Sequence, residues 1–454
     1  MLDEVVDAKS IVRVIDAWVA KLDLKKLGFA KAQAQVRGAP PYDPADLLKL
    51  YVWGYLNAVR SSRALERECH RNVECMWLLG RQAPDHKTIA NFRRDNAEAL
   101  PRVSGAFIQF ARDQSLIGST TVAIDGTKLQ AVASPRSLRN KADLELLAQR
   151  NAQEIGAYLK LLDANDLQQP VQDCDAEKVR AALAELEEEG QKIEQQLQQL
   201  NAEDRSAHVQ TEPQARPMRS LHGAPGYNLQ TAVEAHSHLI VHHEVCTAGN
   251  DQRQLQPMAE AASQVLQAPC TVVADAGYAN GEQIAALDAQ GITSFVAVNR
   301  AVNPYGLLDK SAFVYDDQAD QYTCPAGKLL ARKRVSRHTK QVIYMAEAAH
   351  CTSCPMKPGC TRAARRSVTR HLFEQALEAN AQRMQRHPEM MTVRMQTVEH
   401  PFASIKRCIM GNARLLMRGL RGAGAETSLA VLAYNIKRVF NMNGSEFMTQ
   451  ALRG

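Results

Sequence analysis

Three acidic side chains stand at positions that point to metal-assisted chemistry. Asp125 comes directly after the apolar run 122–124, Asp275 comes directly after the apolar run 272–274, and Glu399 lies in a basic segment. Because Asp is depleted in β-strands, a charge at a strand end needs a stabilising partner, and a metal ion is one candidate. Mg2+ binds oxygen ligands from a few carboxylates and keeps positions open for phosphate and water. Two such ions held by three acids can catalyse in-line phosphoryl transfer, whereas a lone strand-end Asp is ordinarily a cap or turn residue.

Four short stretches carry a family resemblance. The stretches 124–128, 226–233, 274–278 and 398–402 look like motifs of the transposases of bacterial insertion sequences. Those enzymes have an Asp-Asp-Glu site on a ribonuclease-H-like fold, and one superfamily of them has a Tyr-Arg-Glu-Lys signature. The resemblance extends over about 43–440, and its motifs are specific in combination although each is weak alone.

The resemblance implies which residues hold the metal and which contact DNA. Two Mg2+ (or Mn2+) ions are expected to be held by Asp125, Asp275 and Glu399. Lys406 stands seven residues after the Glu, where the signature places its Lys. Arg394 is one residue further from the Glu than the signature asks, and Met391 stands where a Tyr is expected. Lys406, Arg394 and Arg407 are expected to bind DNA phosphates.

The N-terminal region is predicted to be helical. Asp43 followed by Pro44 is a typical helix start. Further along, Thr88 is a plausible N-cap for a short basic helix, which together with a preceding polar helix resembles a DNA-reading helix-turn-helix. The DNA-binding side chains expected on it are Lys87, Arg93 and Arg94. The alternative is a basic solvated helix in a dimerising bundle.

Charge is distributed unevenly along the chain. The net formal charge is only +6, but the segment 325–421 contains nineteen Lys or Arg, five Glu and no Asp. A concentrated basic region is typical of proteins that bind nucleic acid, and the alternative is a solvated basic face. We therefore expect DNA as the partner, both as terminal inverted repeats and as target, with a homodimer implied by the resemblance.

The composition argues against a membrane protein. No run of about eighteen apolar residues occurs, and the N-terminus lacks the apolar core of a signal peptide. The expected location is the bacterial cytoplasm, in association with the nucleoid.

Four of the ten cysteines are close together in the sequence. They lie within 305–368 and are Cys324, Cys351, Cys354 and Cys360. Their spacing predicts a small insertion pinned by a tetrahedral structural Zn2+. The alternatives are four free thiols or an iron–sulfur cluster.

The predicted fold class is α/β. A ribonuclease-H-like catalytic domain, with a mixed five-stranded sheet and helices, is joined to an all-α N-terminal domain over 1–112. The catalytic core is assigned to 118–137, 209–304 and 369–454, the last part carrying Glu399. Two insertions are predicted, a helical hairpin over 138–208 and the Cys-rich segment over 305–368.

These features predict an enzyme, a DDE transposase. It is expected to cleave DNA at the ends of an insertion sequence and to join the 3′ ends to target DNA by two-metal-ion phosphoryl transfer. One alternative is a transposase-derived DNA-binding protein without catalysis, and another is a metal-dependent nuclease that only hydrolyses.

Overall fold

The first part of the chain is helical. The computed structural model describes residues 2–32, 42–167, 173–203, 205–298 and 305–453. The first seven helices are α1 (Leu2–Val5), α2 (Ile11–Ala20), α3 (Pro44–Leu56), α4 (Ser62–Arg71), α5 (Val73–Leu78), α6 (His86–Asp95) and α7 (Leu100–Asp113). Helix α3 begins as predicted, because the Asp43 carboxylate accepts the Ala45 N–H at 2.8 Å and Pro44 is the first helical residue.

Helix α6 begins earlier than the sequence indicated. Its N-cap is Asp85 and not Thr88, since the Asp85 carboxylate accepts the N–H groups of Lys87 and Thr88 at 2.8 and 3.1 Å. The Thr88 hydroxyl donates to the same carboxylate at 2.6 Å. The negative charge of Asp85 also suits the positive end of the helix dipole, which favours Asp over Thr at this position.

The middle of the chain forms the central sheet and the helical hairpin. Its elements are β1 (Thr121–Gln130), β2 (Leu138–Asn140), α8 (Lys141–Leu167), α9 (Asp173–Ala202), β3 (Ala207–Val209), β4 (Arg216–Pro217), β5 (Pro225–Glu234), β6 (Ile240–Cys246), α10 (Leu255–Leu266), β7 (Thr271–Ala274), α11 (Gly281–Ala289) and β8 (Thr293–Val296). Within the described residues the strand order is β4-β5-β1-β7-β8. Strand β6 also pairs with β5, further along it than β4 and on the edge away from β1. Strand β1 is antiparallel to β5 and parallel to β7, and β7 is parallel to β8. The sheet is mixed, as expected, but the short strand β4 makes it six-stranded instead of five-stranded.

The two long helices α8 and α9 pack against each other away from the central sheet. Leu144 on α8 is buried with Ile193 and Leu200 on α9, and these residues form a small hydrophobic cluster of their own. The pair β2 and β3 closes the base of this hairpin as a separate two-stranded sheet.

The last part of the chain contains a second sheet, the short helices α12 and α13, the longer helices α14, α15 and α16, and a π-helix. Its elements are β9 (Val314–Asp316), β10 (Gln321–Thr323), β11 (Leu329–Ser336), β12 (Gln341–Ala346), α12 (Ala348–Thr352), α13 (Lys357–Cys360), β13 (Ser367–His371), α14 (Glu374–Arg386), α15 (Glu389–Ala403), a π-helix (Ser404–Ile409) and α16 (Gly419–Arg453). Strands β9 to β13 form an antiparallel sheet in the order β13-β12-β11-β10-β9. We call this sheet with α12 and α13 the knob (residues 314–371). Its core is aromatic, with Tyr322 and Tyr344 buried.

Helix α16 joins the N-terminal helices to the central sheet. It packs against α2, α3 and α7 on one side and against β6 on the other. The Glu426 carboxylate of this helix accepts a hydrogen bond from the Arg60 guanidinium at 2.8 Å, and both side chains are buried. One hydrophobic core therefore runs from the N-terminal helices through the sheet. Among the described helices, none is long and apolar enough to cross a membrane.

Candidate active site

The parallel pairing of β1 and β7 brings two of the predicted acids together. Ile124 is the register partner of Ala274, so Asp125 inside β1 and Asp275 directly after β7 lie next to each other. Side chains alternate along a strand, and Asp125 therefore shares a face with Ala123. The local sequence explains the placement, because the buried residues before each Asp are apolar and the carboxylate begins where burial decreases.

A single cation, the Arg394 guanidinium, contacts both carboxylates of this pair. The Nη2 atom of Arg394 lies 2.7 Å from Oδ2 of Asp125 and 3.5 Å from Oδ2 of Asp275. Burial raises the pKa of Asp125 to about 6, although Arg394 and the Gly126 N–H act in the opposite direction. Asp275 is more open, with 46% of its side chain exposed, and its carboxylate accepts the Gly277 N–H at 2.8 Å. The two oxygens therefore form a site that already holds a positive group.

Helix α15 carries both Arg394 and Glu399 across the sheet. Val398 on this helix packs with Ala123 and Val273, which fixes one face of α15 against the strands that bear the Asp residues. Because residues five apart on an α-helix differ by roughly 140° around its axis, Arg394 and Glu399 point in different directions. Glu399 is exposed and makes no ion pair with a described residue.

Glu399, the third predicted acid, therefore lies on a helix that packs on β1 and β7 but does not contact the Asp125–Asp275 pair as a third ligand. In the described ranges, no three His, Cys, Asp or Glu side chains are arranged to hold a metal ion as they stand. The donors suit Mg2+ chemically, since carboxylate oxygens are the ligands that hard cations prefer. A three-acid site therefore requires Glu399 to move toward the two Asp residues.

The segment after Glu399 is irregular and basic. Pro401 lies inside α15, and the helix continues past it and changes to the π-helix at Ser404. Such widened turns occur frequently at functional sites. Lys406 in the π-helix is half-buried, and burial together with the Lys128 charge lowers its pKa, while Asp125 acts in the opposite direction. The Lys406 ammonium is therefore within electrostatic reach of Asp125, whereas Arg407 is exposed.

The three basic residues predicted on α6 differ in exposure. Lys87 and Arg94 are exposed, and Arg94 pairs with Asp95 at 2.9 Å. Arg93 is only 7% exposed, its guanidinium lies over the Tyr51 ring, and it donates to the Arg60 carbonyl at 3.4 Å. Arg93 thus belongs to the core of the helical region and offers nothing to a phosphate, because helix packing turns this side chain inward.

Asp251 has a role that the sequence did not reveal. An Asp shortly before a helix is typically its N-cap, but the N-cap residue of α10 is Gln254. The Asp251 carboxylate instead accepts Lys128 Nζ at 2.9 Å, Asn228 Nδ2 at 2.7 Å and Gln230 Nε2 at 2.6 Å. The only sequence signal was a pair of amide side chains two residues apart in a strand, a spacing that places Asn228 and Gln230 on one face.

Gln230 of this polar cluster contacts the residues that follow both Asp125 and Asp275. Tyr278 follows the turn capped by Asp275, and its buried hydroxyl donates to Gln230 Oε1 at 2.5 Å. Gly126 follows Asp125 and lies directly opposite Gln230 in the β1–β5 pair. A methyl group at Gly126 would lie 2.2 Å from Gln230 Nε2, so only glycine fits here.

We predict that Gly126→Ala displaces Gln230 and lowers the free energy of unfolding by about 1–3 kcal/mol, as overpacking does. Denaturant unfolding measures the change. Gly105→Ala is the matched control, since no atom lies within 4 Å of an added methyl group on that helix. It should be neutral or stabilising by up to about 1 kcal/mol. Equal effects of the two variants would contradict the steric explanation.

The four clustered cysteines meet at one end of the knob. Cys324, Cys351, Cys354 and Cys360 line a single small cavity. Lys328 donates its backbone N–H to Cys324 Sγ at 3.3 Å in the turn before β11. Burial raises the pKa of the Cys360 thiol, and the three neighbouring thiols act in the same direction. The Arg366 charge acts in the opposite direction. The thiols are neighbours, although as placed they do not form a ligand set.

Comparison with known families identifies the class of protein. Residues 1–95 match the family described as Transposase domain (DUF772), and residues 323–440 match the family described as Transposase DDE domain. No curated protein matches the chain.

The two family matches support an insertion-sequence DDE transposase, and this confirms the resemblance predicted from the motifs. A DDE domain implies a ribonuclease-H-like fold, a dependence on divalent metal and DNA as the partner. The second match contains Glu399, Lys406 and the four clustered cysteines, whereas Asp125 and Asp275 lie between the two matched segments.

Proposed function

We propose that this protein cleaves DNA at the ends of an insertion sequence and joins the 3′ ends to target DNA. The observation that carries the proposal is the Asp125–Asp275 pair at the edge of two parallel strands, held by one cationic group. Two further basic groups are close by, because the charges of Lys128 and Asp125 both act on the Lys406 ammonium. This combination of acids and bases suits a phosphodiester substrate and divalent ions.

Mg2+ would be held by Asp125 and Asp275, with Glu399 as the third ligand. When bound, the ions would activate the attacking oxygen and stabilise the leaving oxygen of an in-line displacement. Arg394 binds the same carboxylate oxygens that a divalent ion needs, so ion and guanidinium compete for them. Once released from the pair, the Arg394 guanidinium is suited to a phosphate, which it can bind with two parallel hydrogen bonds.

The remaining basic residues of the site have graded roles in this proposal. Lys406 is assigned to the phosphate nearest the acids, because it is half-buried and within electrostatic reach of Asp125. Arg407, Lys87 and Arg94 are exposed and are assigned to backbone contacts further along the DNA. Such contacts set register and orientation but do not read sequence. Arg93 is left out because it is buried.

The proposal assigns functions to the parts of the chain. The catalytic core comprises 118–137, 209–304 and 369–454, and the helical region 1–112 binds DNA or forms the dimer contact. Joining requires two ends to be held together, and we therefore propose a homodimer.

Incubation of the purified protein with candidate end DNA and Mg2+, followed by sizing of the products, tests the function. We expect products cut at the repeat ends and, with target DNA added, larger joined products. Cut but unjoined DNA under all conditions would favour a nuclease that only hydrolyses. Binding with no divalent-dependent cutting would favour a DNA-binding protein without catalysis.

We also propose that the knob binds one structural Zn2+ through its four cysteines. Thiolates are the ligands that zinc prefers in small structural sites, and all four thiols line one cavity. The Lys328 N–H that donates to Cys324 Sγ suits a thiolate, because a hydrogen-bond donor stabilises negative charge on sulfur.

We predict that protein purified without chelators contains about one zinc per chain and that Cys351→Ser with Cys354→Ser loses it. Elemental analysis of the two proteins measures this. Cys408→Ser is the matched control, because Cys408 is exposed and lies outside the knob. Absence of zinc from the wild-type protein would contradict the assignment, and iron in its place would indicate an iron–sulfur cluster.

A further inference from the structure

The turn between β11 and β12 in the knob is strongly basic. Lys333 and Arg334 lie near the end of β11, and Arg337 follows in the turn itself. All three are exposed, and no carboxylate in the described ranges pairs with any of them. Their neighbour Arg332 differs, since it pairs with Asp320 at 2.8 Å. We call Lys333, Arg334 and Arg337 the basic turn.

Strand β11 has a bulge at the start of the basic turn. The register between β11 and β12 shifts between Arg332 and Arg334, so Lys333 has no partner across the ladder. A bulge bends the strand and re-aims its side chains. Three exposed positive charges thus lie within the five residues 333–337 without an acidic partner in the described ranges, an arrangement that a polyanion would stabilise.

Lys340 joins the turn that carries these residues to helix α11. Lys340 completes the turn, its ammonium contacts the Glu282 carboxylate, and its carbonyl accepts the Leu372 N–H at 2.8 Å. Glu282 belongs to the first turn of α11, which begins three residues after Tyr278 and six residues after Asp275. The turn is therefore attached to the structure that directly follows the second catalytic acid.

The packing at this junction is tight. A methyl group at Gly281, the first residue of α11, would lie 2.9 Å from the Phe373 carbonyl oxygen, just past the end of β13. Helix α11 and the residue before α14 therefore meet without room for another side chain at this point. This contact restricts where the basic turn can lie relative to the acids.

We infer that the basic turn binds the DNA backbone next to the phosphate that is cleaved. The inference rests on the proposed function, because DNA is the polyanion that the site requires. The contact is made to phosphates and does not depend on sequence, since Lys and Arg on an open turn can neutralise backbone charge without reaching base edges. The knob thus extends the DNA-binding surface of the catalytic domain.

The opposite end of the knob supplies a matched control surface. Lys328 and Arg365 are exposed and Lys357 is half-buried, and they lie around the cysteine cavity and the start of β13. In the β12–β13 pair, Met345 faces Ser367 at this end, whereas Gln341 faces His371 at the end near the turn. The two triplets carry equal charge on opposite ends of one sheet.

The test is the salt dependence of binding to a short DNA duplex of arbitrary sequence, measured without divalent ions on the full-length chain. We compare wild type with the triple variant Lys333→Gln, Arg334→Gln, Arg337→Gln and with the control Lys328→Gln, Lys357→Gln, Arg365→Gln. Each phosphate that the protein no longer neutralises reduces the steepness of log K against log salt by about 0.9, so the turn variant should lose about two to three units. The control should keep the wild-type slope, and both variants should keep the wild-type melting temperature.

Two results would overturn the inference: a turn variant with the wild-type slope, or a control variant whose slope falls as much as that of the turn variant. The failure of the proposed function gives a different pattern. If the slope falls in the turn variant alone while wild type never cuts end DNA, the DNA contact stands and the catalytic proposal falls. A wild-type protein that binds no duplex at all overturns both.

Discussion

Replacing Asp125 with asparagine is expected to lower the rate of Mg2+-dependent cleavage of end DNA by at least about a hundredfold. The substitution keeps the size of the side chain but removes the charge that a divalent ion needs. The Asp125 carboxylate is partly buried and already binds one cationic group, Arg394, at 2.7 Å. We therefore expect it to be a principal ligand of the ion. Asp275→Asn should have the same effect, because Asp275 lies beside it at the same sheet edge.

Binding of the same DNA without divalent ions should be kept in both variants, because removing a negative charge does not repel phosphate. Asp317→Asn is the matched control, since this Asp is exposed in the knob and lies far along the chain from either acid. Rates are measured from the appearance of cut DNA at saturating protein. An Asp125→Asn variant that cuts at the wild-type rate would contradict the site assignment.

The second large effect is expected on stability, from Glu426→Ala. Glu426 is fully buried and accepts Arg60 Nη1 at 2.8 Å and the N–H groups of Leu416 and Met417 at 2.7 and 3.1 Å. The alanine variant leaves a buried guanidinium without its counter-ion, which typically costs about 3–5 kcal/mol. We expect the midpoint of denaturant unfolding to fall accordingly.

Glu98→Ala is the control for this stability prediction. Glu98 pairs with Arg421 on α16 as well, but that pair is solvent-exposed. Exposed pairs contribute about 0.2–1 kcal/mol, so Glu98→Ala should be close to wild type. A small effect of Glu426→Ala would mean that the N-terminal helices and α16 are held together mainly by apolar contacts.

The strands and two of the acids could be predicted from local sequence. Apolar runs ending in Asp lead to Asp125 within β1 and to Asp275 directly after β7, and parallel pairing then brings the two together because register is shared along neighbouring strands. The start of α3 was also predictable, because the Asp43 carboxylate and the fixed backbone of Pro44 act within a few residues.

Other features depend on contacts between distant parts of the chain. Asp251 looked like a helix cap, but its three partners come from β1 and β5. Arg93 looked like a DNA contact, but packing of α6 on α3 buries it against Tyr51. Arg394 was expected at a phosphate and in this structure binds the acids. Charge and spacing alone do not indicate which of several partners a side chain finds.

The most direct test of the account is to locate the bound metal relative to the three acids. Fe2+ in place of Mg2+, with ascorbate and peroxide, cuts the protein backbone near the ion, and the fragments identify the nearby residues. In the complex with end DNA we predict cuts near Asp125, Asp275 and Glu399, all suppressed by excess Mg2+. Cuts near Asp125 and Asp275 with none near Glu399, or no cuts that Mg2+ suppresses, would contradict the three-acid site.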